Sequence, residues 1–159
     1  MAFILTPPLI ARDETAFAIL QAGDMDRPES LVISLAGWSP LQLLTHWRSE
    51  VGMLLSDSRD RCCVVSGLAR SDNATVPSEW WKLYLVDDAA VLQYQVLRLN
   101  GREKWLDASR WWENISSYQT SASAAETGIA EWKVSRSELA DWCNQCDVLL
   151  NAVKAVEND

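Results

Sequence analysis

Four cysteines, one histidine and a surplus of carboxylates are the side chains of this chain best equipped for chemistry. Cys143 and Cys146 form a CNQC pair, the spacing of a redox or zinc motif, while Cys62 and Cys63 are adjacent. A structural zinc ion needs four ligands that converge, and an adjacent cysteine pair suits that geometry poorly. CNQC also falls within a helical apolar repeat, so the expected role of its thiols is packing. His46 is the only imidazole, so a Ser or Cys nucleophile would have one base available, and no GxSxG turn is present to present it. It is expected on a helix surface. No particular pair among the carboxylates stands out for acid/base work, and the 6 glycines form no phosphate-cradling loop. These residues predict neither an enzyme nor a metal or cofactor site.

The elements that must position these groups follow from patterning. The chain has 159 residues, 48% hydrophobic and 23% charged, which fits one globular domain over residues 1–159, with 1–30 as a peripheral N-terminal segment. No apolar run approaches the roughly 18 residues of a membrane span, and MAFILTPPLIARDE lacks the basic start of a secretory signal. The expected home is the cytoplasm. A net charge of -8 repels phosphate backbones and attracts basic macromolecules, which argues against nucleic acid as a ligand.

Along the chain, ETAFAILQA (14–22) fits a short helix, DMDRPES (24–30) a loop and LVISLA (31–36) a strand. Ser39, Pro40 and Gln42 then give an N-cap, a first helical position and a capping box. Leu44, Trp47, Val51 and Leu54 continue that helix with one apolar stripe. RCCVVSGLA (61–69) is strand-like, and RSDNATVPS (70–78) reads as a loop.

EWWKLYLVDDAAVLQYQVLRL (79–99) reads as a hairpin ending before Gly101. A two-residue turn at Asp88 and Ala89, or a four-residue loop from Asp87 to Ala90, gives the same register, with Trp81, Leu83 and Leu85 opposite Val96, Tyr94 and Leu92. Strand alternation makes that set a core face and leaves Trp80, Lys82, Tyr84, Gln93, Gln95 and Leu97 on the other. Asp107 can cap a helix carrying Trp111, Trp112 and Ile115, residues 119–128 form a small-residue loop, and 129–134 a short strand. Ser135 and Glu138 have capping-box spacing before a long helix striped by Leu139, Trp142, Cys143, Cys146, Leu149, Leu150, Val153 and Val156. A direct hairpin among clustered strands predicts an α+β fold: one antiparallel β-sheet with packed helices, including a long C-terminal amphipathic helix.

Nine tryptophans against two phenylalanines is the compositional oddity, and Trp and Tyr are over-represented at interface hot spots. Trp47, Trp81 and Trp142 fall in apolar repeats and belong in the core. Trp80, Lys82, Tyr84, Gln93 and Gln95 are candidate contacts with a partner, unless a helix of the chain itself covers that sheet face. Acidic candidates lie beside them at Asp72, Glu79, Asp87, Asp88, Asp107 and Glu113.

GW before a capped helix, then WWKLYLVDDAAVLQYQVL and IAEWKVSRSELADW, occur in an order that resembles the immunity proteins of bacterial contact-dependent growth inhibition systems, particularly those paired with nuclease toxins. The likeness spans about residues 31–146 and rests on Trp38, Trp81, Leu83, Tyr84, Asp87, Leu92, Gln93, Glu131, Trp132 and Trp142. It implies a small cytosolic protein without catalytic activity that binds a cognate toxin domain, one to one, and covers its active site. An acidic inhibitor suits a nuclease, whose substrate-binding surface must be basic. An acidic secretion-effector chaperone is the second reading. A sheet-based single-strand nucleic-acid binder using Trp80, Tyr84 and Gln93 is a third, opposed by the charge.

Overall fold

The computed structural model describes residues 3–12, 14–71, 74–96, 107–119 and 130–157. Asp72, Leu97, Gly101 and residues 120–128, all singled out above, lie outside them. The elements run β1 (Ile4–Leu5), β2 (Leu9–Arg12), β3 (Thr15–Gln21), β4 (Glu29–Ser34), α1 (Pro40–Leu55), β5 (Arg61–Ser71), β6 (Ala74–Val86), β7 (Ala89–Val96), a 3-10 helix (Ala108–Asn114), β8 (Glu131–Ser135) and α2 (Arg136–Glu157). All pairings are antiparallel, so the α+β class holds, but four strands and a helix occur twice, in two sheets rather than one.

The first sheet is the main correction. Residues 15–21, expected within a short helix, form β3, which pairs with β1 and β2 on one side and β4 on the other. Ala16, Ala18 and Leu20 are buried while Phe17 and Ile19 are exposed, a period of two that overrides the helix-favouring Ala and Leu content. β1 and β2 are one strand broken at Pro7 and Pro8, which have no N–H to donate to a ladder. Thr6 spans the break: its N–H donates to the Ile19 carbonyl at 3.0 Å, and its hydroxyl oxygen accepts from the Ile19 N–H at 2.8 Å. Phe3, next to β1, and Leu5, Leu20 and Ile33 of this sheet belong to the same apolar cluster as the second half of the chain.

α1 forms as its sequence dictates. Ser39 Oγ accepts from the Gln42 N–H at 3.1 Å, the Gln42 side chain accepts from the Ser39 N–H at 2.7 Å, and Leu44, Trp47, Val51 and Leu54 are buried.

The second sheet has the order β5-β6-β7-β8. Residues 70–78 are not the open loop their composition suggests: β5 extends to Ser71 and β6 begins at Ala74, with Pro77 opposite Leu68. The β6–β7 turn is Asp87–Asp88, with Val86 opposite Ala89, Trp81 opposite Tyr94 and Leu83 opposite Leu92. This register is two residues from the expected one, and a shift of two leaves every side chain on its original face. Asp87 has φ +54, a left-handed conformation that Asp tolerates better than bulkier residues.

Both outer strands of this sheet are covered, which removes exposed edges that would invite pairing with other chains. α1 covers β5: the Trp47 indole donates to the Val65 carbonyl at 2.7 Å, and Glu50 Oε2 accepts from the Cys63 N–H at 3.2 Å. The β3–β4 turn covers β8: Asp24 Oδ1 accepts from the Lys133 N–H at 3.1 Å, and Gly23 sits against the Lys133 carbonyl.

α2 starts at the Ser135/Glu138 box and buries Leu139, Trp142, Cys143 and Cys146. The Trp142 indole donates to the Leu5 carbonyl at 2.9 Å, and Arg48 on α1 grips Asp147 through two bonds of 2.9 and 2.7 Å. Further along, Leu150 packs partly against the core, while Leu149, Val153 and Val156 are exposed, the first two along a groove with Pro7, Pro8, Pro40, Leu41 and Leu44.

Candidate partner-binding surface

The thiols serve the interior, and the histidine is half-buried. All four cysteines are free and buried, and burial pushes Cys143 up to about 11 and Cys146 up to about 12, so they stay protonated at neutral pH. His46 is not the surface residue expected: its ring meets Trp111 edge-on at 5.1 Å and Trp38 at 5.8 Å, and those two tryptophans stack at 5.5 Å. Burial, and then the nearby Arg59 charge, lower it to about 4, so the imidazole is neutral. Among the described residues no three His, Cys, Asp or Glu side chains gather to hold a metal ion, and no helix is long and apolar enough to cross a membrane.

The polar face of the hairpin is covered by the chain itself. Trp80 is 2% exposed, Lys82 5%, Tyr84 2% and Gln93 2%. Tyr84 packs against Tyr118 from the segment after the 3-10 helix, and Gln93 donates to Glu131, which also accepts from the Tyr118 hydroxyl. Lys82 lies 5.7 Å from the Tyr84 ring, and burial lowers its pKa. Among the described residues these four side chains are therefore closed off by the chain's own packing. The sequence cannot show this, since Tyr118 and the 3-10 helix reach the sheet only through tertiary packing. Gln95, on the same face, is exposed.

The acidic candidates fare differently. Asp87 and Asp88 are exposed at the turn, and the fold brings Asp57 and Asp60, which sequence reasoning missed, to the same end. The Leu85 N–H donates to the Asp60 carbonyl at 2.9 Å, and Arg136 at the start of α2 binds Asp57 at 2.9 Å while lying within the field of Asp88. Arg136 holds the Asp57 carboxyl below its ordinary range. Asp107 and Glu113 are exposed at the 3-10 helix but committed locally, Asp107 to Ser109 as N-cap and Glu113 to Arg110 in a two-bond pair. Each carboxyl is lowered by those partners.

Glu79 belongs to a separate feature, a cleft of about 480 Å³ between β4 and one end of the second sheet. Its sheet-side wall is Glu79 and Trp81 on β6, Tyr94 on β7 and Trp132 on β8, which share a face by alternation; Glu29 of β4 faces them. The Trp81 ring lies 4.9 Å from Tyr94 and 5.6 Å from Trp132. Ser66 completes the lining from a β-bulge where the β5–β6 register slips between Val65 and Gly67.

A family model described as the CdiI N-terminal domain matches residues 33–142. A comparison with curated protein sequences finds no match. Among solved structures, the chain is similar to one from a CdiA-CT/CdiI toxin and immunity complex of Enterobacter cloacae, with a TM-score of 0.72 at 18% identity, covering 91% of this chain and 98% of the other. That likeness extends the shared fold beyond the family match into the first sheet. The family model spans most of the chain, and the protein belongs to the CdiI N-terminal domain family.

Proposed function

We propose that this protein is the immunity partner of a contact-dependent growth inhibition toxin, that it acts in the cytoplasm without catalysis of its own, and that it neutralises a nuclease domain by covering its active site in a one-to-one complex. The observation that carries this reading is the cluster of exposed carboxylates, Asp57, Asp60, Asp87 and Asp88, at one end of a CdiI-family scaffold whose net charge is -8. A nuclease must present a basic surface to its phosphate substrate. An acidic inhibitor aimed at that surface gains an association rate on the order of 10⁸ to 10⁹ per molar per second at low salt, and its occupancy excludes the substrate. The exposed candidate contacts are Asp87, Asp88 and Gln95, with Asp107 and Glu113 on the neighbouring 3-10 helix, and half-buried Glu79 adds a carboxylate at the cleft.

Co-expression with the toxin domain encoded immediately upstream tests the proposal. The expected result is restored growth and a stable one-to-one complex; failure of both rescue and binding overturns it. The exposed apolar end of α2 gives a secretion chaperone one point in its favour, and that reading predicts capture of an unfolded effector segment in place of a folded toxic domain.

A further inference from the structure

The cleft between β4 and the second sheet has the features of a built site. Ser66 is the extra residue of a bulge, a device that re-aims a side chain, and it is 2% exposed with no hydrogen-bond partner for its Oγ among the described residues. Trp81, 4% exposed, likewise has no partner for its Nε1. Buried polar groups are almost always satisfied, so two such atoms lining one cleft call for a bound group, water or ligand, that supplies both a donor and an acceptor. Beside them stand two more aromatic rings, Tyr94 and Trp132, and the carboxylates of Glu29 and Glu79. Glu79 also lies against Tyr94, whose phenol is raised by burial and by that carboxylate.

We propose that this cleft receives one arginine side chain of the toxin domain, an assignment that rests on the toxin-binding reading above. A guanidinium is planar and weakly hydrated, so it stacks on Trp and Tyr faces at lower desolvation cost than an ammonium. Its five N–H donors can reach a carboxylate in a two-bond pair and still donate to the Ser66 hydroxyl. Trp81 Nε1–H then needs an acceptor, which the main-chain carbonyl of the entering segment provides. Charge complementarity favours a cationic occupant, since two carboxylates line the cleft of a net-acidic protein and a nuclease must present a basic surface to phosphate, and the aromatic lining favours a guanidinium over an ammonium. The cleft thereby supplies the aromatic anchor that buried Trp80 and Tyr84 do not.

The test has two arms. In the first, the indole N–H resonances of ¹⁵N-labelled protein are followed during titration with Nα-acetylargininamide, its citrulline analogue and its lysine analogue. A saturable shift of the Trp81 and Trp132 indoles with the arginine probe, weaker with lysine, absent with citrulline and lost in Glu79→Gln, supports the site. No saturable shift, or equal shifts with citrulline, overturns it. In the second, Glu79→Gln and Glu29→Gln are measured against the upstream-encoded toxin domain, with an expected loss of roughly tenfold in affinity for Glu79→Gln, mostly through faster dissociation. Unchanged affinity in both variants overturns the assignment to the toxin. Since the wild-type growth rescue is independent of the probe titration, failure of the cleft leaves the immunity reading standing, and failure of rescue is recognised separately.

Discussion

The indole nitrogen of Trp47 lies 2.7 Å from the carbonyl oxygen of Val65, a residue 18 positions away on the edge of the second sheet. Together with Glu50, one turn further along α1, it gives β5 side-chain partners where an edge strand would otherwise present bare backbone to solvent. The helix therefore fastens to the sheet by directed bonds as well as by its apolar stripe.

Trp47→Phe keeps most of the buried ring and removes the donor, leaving the Val65 carbonyl buried and unpaired. The expected loss is about 1–3 kcal/mol of unfolding free energy, read as a lower urea midpoint at unchanged m-value. A loss below about 0.5 kcal/mol would mean that water replaces the bond.

His46 makes the fold acid-sensitive. Its pKa is about 4 in the folded protein and near 6.5 in the unfolded chain, so the unfolded state binds the proton more tightly. The contribution is fully present above pH 6.5 and is lost as pH falls through about 4, and it amounts to something on the order of 2–3 kcal/mol. Glu50 acts in the opposite sense: burial raises its carboxyl, so its contribution is present below the ordinary carboxylate range and is lost as pH rises through the raised value. His46→Gln is expected to flatten the stability profile between pH 6.5 and 4 with little change at pH 7. Denaturant titrations across that range, with Glu50→Gln as the counter-control, check both signs.

How much of this was legible in the sequence depends on how local each signal is. The Ser39/Gln42 and Ser135/Glu138 boxes, the α1 stripe and the two faces of the hairpin are written within a few residues, and the structure has them. β3 was misread because Thr15–Gln21 satisfies a helical composition and a period-two pattern at once, and only its pairing with β1, β2 and β4 decides between them. The burial of Trp80, Lys82, Tyr84 and Gln93 was beyond reach for a similar reason: Tyr118 packs on Tyr84 and Glu131 bonds both Gln93 and Tyr118, at a distance in sequence that no spacing rule encodes. The Ser66 bulge leaves no mark in composition. The acidic end was half legible, since Asp87 and Asp88 sit in an evident turn while Asp57 and Asp60 join them only in three dimensions.

Gly23 is the second fastening point. Its φ is +46, and a Cβ there would overlap the carbonyl of Lys133, where the β3–β4 turn seats on β8. Gly23→Ala thus adds left-handed strain to a backbone collision that no side-chain rotation relieves. The expected cost is at least about 2 kcal/mol, with the Lys133 amide losing protection from hydrogen exchange ahead of the rest of the second sheet. A neutral Gly23→Ala would show that the turn does not close on β8 in solution.

The last prediction separates steering from anchoring at the acidic end. Asp87 is left-handed, and Asn tolerates that conformation as well as Asp does, so Asp87→Asn with Asp88→Asn removes two charges while keeping the two-residue turn. Thermal stability should stay within about 0.5 kcal/mol of the parent. Rim charges act mainly on encounter, so the association rate with the upstream-encoded toxin domain should fall several-fold in low salt with the dissociation rate unchanged. The gap should close as salt rises toward 1 M, where the Debye length contracts from about 10 Å at 0.1 M to about 3 Å. Stopped-flow or surface-based kinetics at two ionic strengths read both rates. A rise in dissociation rate instead would put these aspartates inside the contact, and no change in either rate would place the toxin on another face of the molecule.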